Sequence, residues 1–110
     1  MLSNDLIKGT LRTIVLKLLS ENSRMYGYEI TQKVEELSKG KIKISFGALY
    51  PVLHKLEAEG HVQTESELIG KRKRIYYKLT QSGIKTSKTK LEEFLEYVEV
   101  MTYVLNPYPA

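Results

Sequence analysis

Between Ser45 and Gly60 the chain sets Tyr50, His54 and Lys55 along one side of a segment with helical periodicity, and it then runs four cations together at Lys71-Arg72-Lys73-Arg74. A lysine can donate to guanine O6 and N7, and histidine or tyrosine can meet bases or phosphates. A compact cationic run can hold a phosphate backbone. Ser45 is placed to cap the helix. The free amides that follow it, past Gly47, suit an anion because unpaired N–H groups and the helix dipole point the same way. Taken together these are the parts of a reader of double-stranded DNA: a helix for the major groove and a cationic loop for the backbone beside it. Plainer readings stand next to each. Ser45 can be an ordinary cap, Tyr50 can pack on the preceding helix, and a charge run is usually a solvated face. Catalytic chemistry finds no footing. His54 and His61 are the two histidines, with no cysteine or carboxylate cluster to join them as metal ligands. No nucleophile–base pair or phosphate loop is visible, so neither metal, cofactor nor enzymatic activity is expected.

The charge is distributed unevenly. Residues 41–79 hold eight Lys/Arg against four Glu, whereas the rest of the chain holds nine basic and nine acidic residues, so the whole net charge of +4 sits in the candidate reading segment. A localised basic excess of this kind favours a polyanionic partner. With 110 residues and 42% hydrophobic content the chain can build one small packed domain. The absence of cysteine excludes a disulfide framework. Lys8, Arg12 and Lys17 interrupt the apolar runs of the first twenty residues, so no signal peptide is expected. No apolar run reaches the length of a membrane span, and a cytoplasmic protein without membrane association is the expectation.

Several elements must position these groups. Ile7, Leu11, Ile14, Val15, Leu18 and Leu19 predict a first helix over Asp5 to Glu21. A second helix is expected from Gly27 to Leu37, with Ile30, Val34 and Leu37 facing inward and Gly40 supplying a left-handed stop. In the third, Leu49, Val52, Leu53 and Leu56 recur at i, i+3, i+4, i+7 and face the core, leaving Tyr50, Pro51, His54, Lys55 and Ala58 outside. Pro51 lies early in this helix and crowds the carbonyl of Gly47, where a glycine gives the backbone room. Gly60 stops the helix. Val62–Leu68 and Arg74–Leu79 alternate as strands, joined by a hairpin over Ile69–Lys73 that contains Gly70. Thr80 caps a long last helix reaching Leu105, with Pro107 and Pro109 beyond it. The order predicts an α+β, mainly α fold: a winged helix-turn-helix over residues 1–80, followed by a C-terminal dimerisation helix and tail over 81–110.

Four motifs in this order make the chain resemble the PadR family of bacterial transcriptional regulators. They are Gly9-Thr10-Leu11, then Met25 to Ile30 (MYGYEI), then Gly47 to Glu57 (GALYPVLHKLE), and last Arg74 to Thr80 (RIYYKLT) with Gly83. The resemblance covers roughly residues 8–85, and the single last helix matches the compact subgroup. It implies that the hairpin is a wing over the neighbouring minor groove, so that Lys71, Arg72, Lys73 and Arg74 contact DNA, and that residues opening the second helix touch the backbone. Tyr26 is assigned the phosphate contact and Tyr28 a packing role, with Gly27 permitting close approach. One departure matters: the chain has no tryptophan, so the tryptophan sandwich that holds flat drugs in one branch of the family cannot be carried over.

Leu91, Phe94, Val98, Met101 and Leu105 are spaced 3, 4, 3, 4, a heptad seam that Leu95, Tyr97 and Tyr103 widen. These residues predict a homodimer, although the same helix could instead pack on its own domain, and the resemblance implies that the first helix, with Leu11, completes the interface. A two-fold dimer calls for an inverted-repeat operator. Phe94, Tyr97 and Met101 would suit a small apolar effector and equally a dimer core. The leading expectation is a homodimeric repressor relieved by a small-molecule or stress signal. The alternative is a winged-helix protein–protein interaction module without specific DNA binding.

Overall fold

The computed structural model describes residues 2–106. Pro107 and Pro109, expected to close the last helix, lie outside the described residues. The elements follow as α1 (Asn4–Glu21), β1 (Met25–Tyr26), α2 (Gly27–Leu37), α3 (Phe46–Ala58), β2 (Val62–Ile69), β3 (Arg72–Leu79) and α4 (Gln81–Leu105). The α+β, mainly helical winged helix-turn-helix expected from the sequence is the fold observed.

The sheet adds a strand that the sequence did not announce. β3 pairs with β2 along its whole length, Val62 opposite Leu79 and Ile69 opposite Arg72. On its other side β3 pairs antiparallel with the two residues of β1, Met25 opposite Tyr77 and Tyr26 opposite Tyr76. The order is therefore β1-β3-β2. Two residues carry no alternation of their own, and β1 exists only because β3 offers it an edge.

The core gathers Leu11, Val15, Leu16, Ile30, Leu49, Leu53 and Leu56, all fully or almost fully buried. Leu16 was not part of the predicted stripe. α1 packs against α2, α3, β3 and α4, so its apolar surface extends beyond one stripe. Leu37 departs the other way. It was expected inward yet is 63% exposed, because α2 turns off one residue later: Lys39 (φ +55°) and Gly40 (φ +79°) adopt left-handed backbone, and Gly40 N–H donates to Glu35 O at 2.8 Å. Thr31 is buried on this helix instead, its hydroxyl donating to Tyr28 O at 2.8 Å.

α3 is closed at both ends by local chemistry. Ser45 Oγ accepts from Ala48 N–H at 3.2 Å. At the C-terminus Gly60 takes φ +81°, with His61 N–H donating to Leu56 O at 2.9 Å and Gly60 N–H to Glu57 O at 3.0 Å. That is the Schellman arrangement, which only a residue tolerant of positive φ completes cheaply.

The start of α4 is bolted to this same corner. Thr80 Oγ1 donates to Gly60 O at 2.6 Å and accepts from Gly83 N–H at 3.1 Å, while Ser82 Oγ donates to Gly60 O at 3.1 Å. Thr80 N–H donates to His61 O at 3.1 Å, and His61 Nδ1 lies 2.9 Å from Ser82 Oγ. Gly83 is buried against this corner, and a Cβ there would run into the His61 carbonyl oxygen.

Candidate nucleic-acid interface

Tyr50, His54 and Lys55 emerge from α3 on the side away from Leu49, Leu53 and Leu56, as the periodicity requires. His54 and Lys55 are exposed; Tyr50 is half-buried. The tyrosine hydroxyl sits over Gly27, where a Cβ would come within 2.6 Å of it. Gly27 thus allows α2 and α3 to approach through the Tyr50 ring, and Tyr50 both packs and presents an edge. Its ring is tilted against Phe46 at 5.8 Å and His54 at 6.0 Å between centroids, forming an aromatic row along the outer face of α3. Ser45 and Gly47 are exposed at the helix start.

Phe46 was missed from the sequence. It falls in step with Leu49, Leu53 and Leu56 and so reads as core, yet it is exposed, its ring lying against Tyr50 instead.

The two tyrosines at the start of α2 differ from expectation in exposure. Tyr28, assigned to packing, is 54% exposed. Tyr26, assigned to the phosphate, is half-buried in a stack: its ring is 6.4 Å from Tyr28, edge-on to Tyr76 at 5.6 Å, and covered by the Arg74 guanidinium at 4.1 Å. Its backbone N–H donates to Glu29 Oε1 at 3.1 Å, capping α2. The burial of Tyr26 follows from β1: pairing Tyr26 with Tyr76 fixes the ring against the sheet.

The wing differs from the expected five-residue loop. The strands run up to Ile69 and from Arg72, leaving Gly70-Lys71 as a two-residue turn with Gly70 at φ +65°. Arg72, Lys73 and Arg74 therefore lie on β3 rather than in the turn, and the four cations separate into two groups. Arg74 is half-buried, its guanidinium over Tyr26 and 3.4 Å from Tyr76 Oη, contacts that hold it charged. Lys71, Arg72 and Lys73 are exposed and have no ion-pair partner among the described residues.

Nearer the body the charges are satisfied internally. Glu65 accepts from Lys78 at 2.6 Å and from Arg24 at 3.0 Å, and Arg24 also reaches Glu67 at 2.7 Å while lying 3.8 Å over the Tyr76 ring. The Lys78 ammonium, then the Arg24 guanidinium, holds the Glu65 carboxyl below the usual range. The inner half of the wing is thus self-neutralised, and the outer half is left cationic.

Beside it, Tyr26, Tyr50, Arg72, Lys73 and Ile75 contribute to a cleft of about 340 Å³ between α3 and β3.

The residues assigned to a second interface divide as well. Leu95 and Val98 are exposed, as is Leu105, while Leu91, Phe94 and Met101 are half-buried on α4. Leu11 is corrected: at 2% exposure it belongs to the chain's own core and has no surface left for a partner. Phe94, Tyr97 and Met101 do not share one cavity in the single chain. Phe94 and Tyr97, 6.2 Å apart between rings, line a cavity of about 790 Å³ that runs back along α1 past Leu2, Leu6 and Ile14, and Met101, two turns along α4 from Phe94, is not part of it.

A three-stranded sheet whose β2–β3 hairpin forms a wing beside three packed helices, the third capped and exposed along one face, defines the class of winged helix-turn-helix proteins. The chain belongs to the Transcriptional regulator PadR-like family, which it matches over residues 15–89. A transcriptional regulator of Mycobacterium tuberculosis is 34% identical over 76 residues, covering 69% of this chain and 67% of that protein. An uncharacterised protein of Lysinibacillus sphaericus is 30% identical over 102 residues, 92% of this chain and 93% of its own. Among solved structures, a transcriptional regulator from Clostridium thermocellum superposes with a TM-score of 0.81 at 32% identity over the full length of both chains. A PadR family transcriptional regulator from Eggerthella lenta gives 0.80 at 26% identity, covering 93% and 87%. No helix among the described residues is long and apolar enough to cross a membrane.

Proposed function

We propose that the chain is a homodimeric repressor that binds an inverted-repeat operator in double-stranded DNA. The carrying observation is the partition of charge on the wing. Arg24, Lys78 and Arg74 are committed to Glu65, Glu67 and the tyrosines, and Lys71, Arg72 and Lys73 are left bare beside the exposed face of α3. Bare cations next to a helix that offers His54, Lys55 and the free amides after Ser45 suit phosphate contacts flanking a base-reading element. Pairing through α4 brings in a second copy. Leu95, Val98 and Leu105 form an apolar face that is exposed in the single chain, more than an isolated soluble helix would leave uncovered. Release of DNA would follow from a small apolar effector in the cavity that Phe94 and Tyr97 line, in the cytoplasm.

The test is titration of the purified protein against labelled duplexes from its own promoter at two salt concentrations. Tighter binding to a palindrome than to a scrambled duplex, with affinity falling steeply as salt rises, is the expected result. Absence of binding to every duplex at low salt refutes the reading and leaves protein–protein recognition by the wing as the alternative.

A further inference from the structure

The fold gives Phe46 no task. It opens α3 directly after the Ser45 cap and is 47% exposed. The entry of the helix is held without it. Ser45 Oγ accepts from the Ala48 N–H, and Ile44 and Leu49, both buried in the core, occupy the positions of a hydrophobic staple on either side of the cap. The Phe46 ring leans on Tyr50, 5.8 Å between centroids and tilted by 38°. Tyr50 is itself set against Gly27, so the phenylalanine ring is propped on one side by a held neighbour and is otherwise open. The exposed residues near it on this face, Ser45, Gly47 and His54, are polar or lack a side chain.

The position narrows what such a ring can meet. A recognition helix enters the major groove with its N-terminal residues against the base edges, and Phe46 is the first residue of α3. Hydrogen-bond donors and acceptors line those edges, and thymine adds a C5-methyl group. A phenyl ring has no donor or acceptor to offer. Set against a guanine carbonyl or an adenine amino group, it removes water from a polar group without replacing the lost bond. Set against the thymine methyl, two apolar surfaces leave water together.

We propose that Phe46 is a specificity-determining residue that reads the C5-methyl group of a thymine in each half-site, with Tyr50 holding its ring in place. The inference rests on the DNA-binding reading above and deepens it: the bare cations of the wing grip any duplex, whereas Phe46 favours one base at one position.

The test is a cycle of two proteins and two duplexes. Full-length wild type and Phe46→Ala are each titrated against the promoter duplex copied in vitro with either thymidine or deoxyuridine throughout. Uracil keeps the hydrogen-bonding groups of thymine and lacks the methyl. Duplexes copied in vitro hold no 5-methylcytosine, the other base that presents this group. Loss of one methyl contact should weaken the wild type by about fourfold, and loss at both half-sites by on the order of tenfold. Phe46→Ala should bind the thymine duplex more weakly by at least that factor, and should bind the two duplexes within about twofold of each other. Any change that uracil makes to duplex stiffness is common to both proteins and cancels in the cycle. Thermal melting and affinity for a scrambled duplex should match the wild type, because the residue is exposed and uncharged. A wild type indifferent to uracil overturns the inference and leaves the DNA-binding reading standing. So does an equal loss in both proteins, which would place the methyl contact on another residue. A wild type that binds neither duplex removes both readings.

Discussion

Replacing Gly83 with alanine tests how firmly α3 is tied to α4. The added Cβ meets the backbone carbonyl of His61 rather than the free end of a side chain, so the corner itself must open. Overpacking of this kind costs about 1–3 kcal/mol. Opening also strains the bonds from Thr80 N–H to His61 O and from Gly83 N–H to Thr80 Oγ1, at about 1 kcal/mol each if broken. Alanine in a helix returns about 0.5–1 kcal/mol. The net is a destabilisation of about 2–4 kcal/mol, a large part of the total for a domain of this size, and a fall in Tm of about 10–20 °C. Urea and thermal unfolding followed by circular dichroism measure it. Gly47→Ala is the internal control: a Cβ there meets nothing nearer than Ser45 Oγ at 3.9 Å, so the same exchange should leave stability unchanged or raise it by up to about 1 kcal/mol. If Gly83→Ala matches the wild type within about 0.5 kcal/mol, a threshold at the edge of ordinary surface effects, the corner is not the rigid joint described.

Replacing Lys71, Arg72 and Lys73 together with alanine should weaken binding to promoter and scrambled duplexes alike. It should also reduce the salt slope by roughly 0.9 for each phosphate that the wing no longer neutralises; a slope equal to the wild type's would show that these cations do not touch the backbone. Acidification should loosen the base of the wing. Because Lys78 and Arg24 depress Glu65, its stabilising contribution is complete above the ordinary carboxylate range and disappears as pH falls through the lower folded-state value. The difference in Tm between wild type and Glu65→Gln should accordingly narrow between pH 7 and pH 3, and a difference that widens would contradict the assigned sign. The wild type should scatter light as a dimer, and charging the free face of α4 with Leu95→Glu and Val98→Glu should yield a monomer while leaving the helical signal intact; a mass that the two charges do not change would refute pairing through this face.

Most of the architecture was legible because its signals are local. Apolar periodicity located the four helices, and Ser45, Gly60 and Thr80 marked ends that depend on side chains or φ values within one turn. What escaped depends on neighbours distant in sequence. β1 draws its existence from β3, and by pinning Tyr26 against Tyr76 it covers the tyrosine expected to reach outward and leaves Tyr28 the more exposed. Phe46 and Leu37 carry the right spacing for burial, but nothing lies over them in the single chain. Leu11 shows the converse: a residue assigned to an interface that its own core had already claimed. Of the wing cations, composition could count four but not tell the bare three from Arg74, whose commitment to Tyr26 is visible only once the strands are paired.

The corner at Gly60, His61, Thr80 and Gly83 leaves no slack between the end of α3 and the start of α4. If two copies meet through α4, the distance between their reading helices is then a dimension of the protein, as fixed as a ruler, rather than an average over a tether. Each residue inserted into α4 between this corner and Leu91 would turn the rest of the helix by about 100° about its axis and point the two readers at the wrong faces of the double helix. Operators for such a chain can drift in their bases more readily than in the length of the spacer between half-sites.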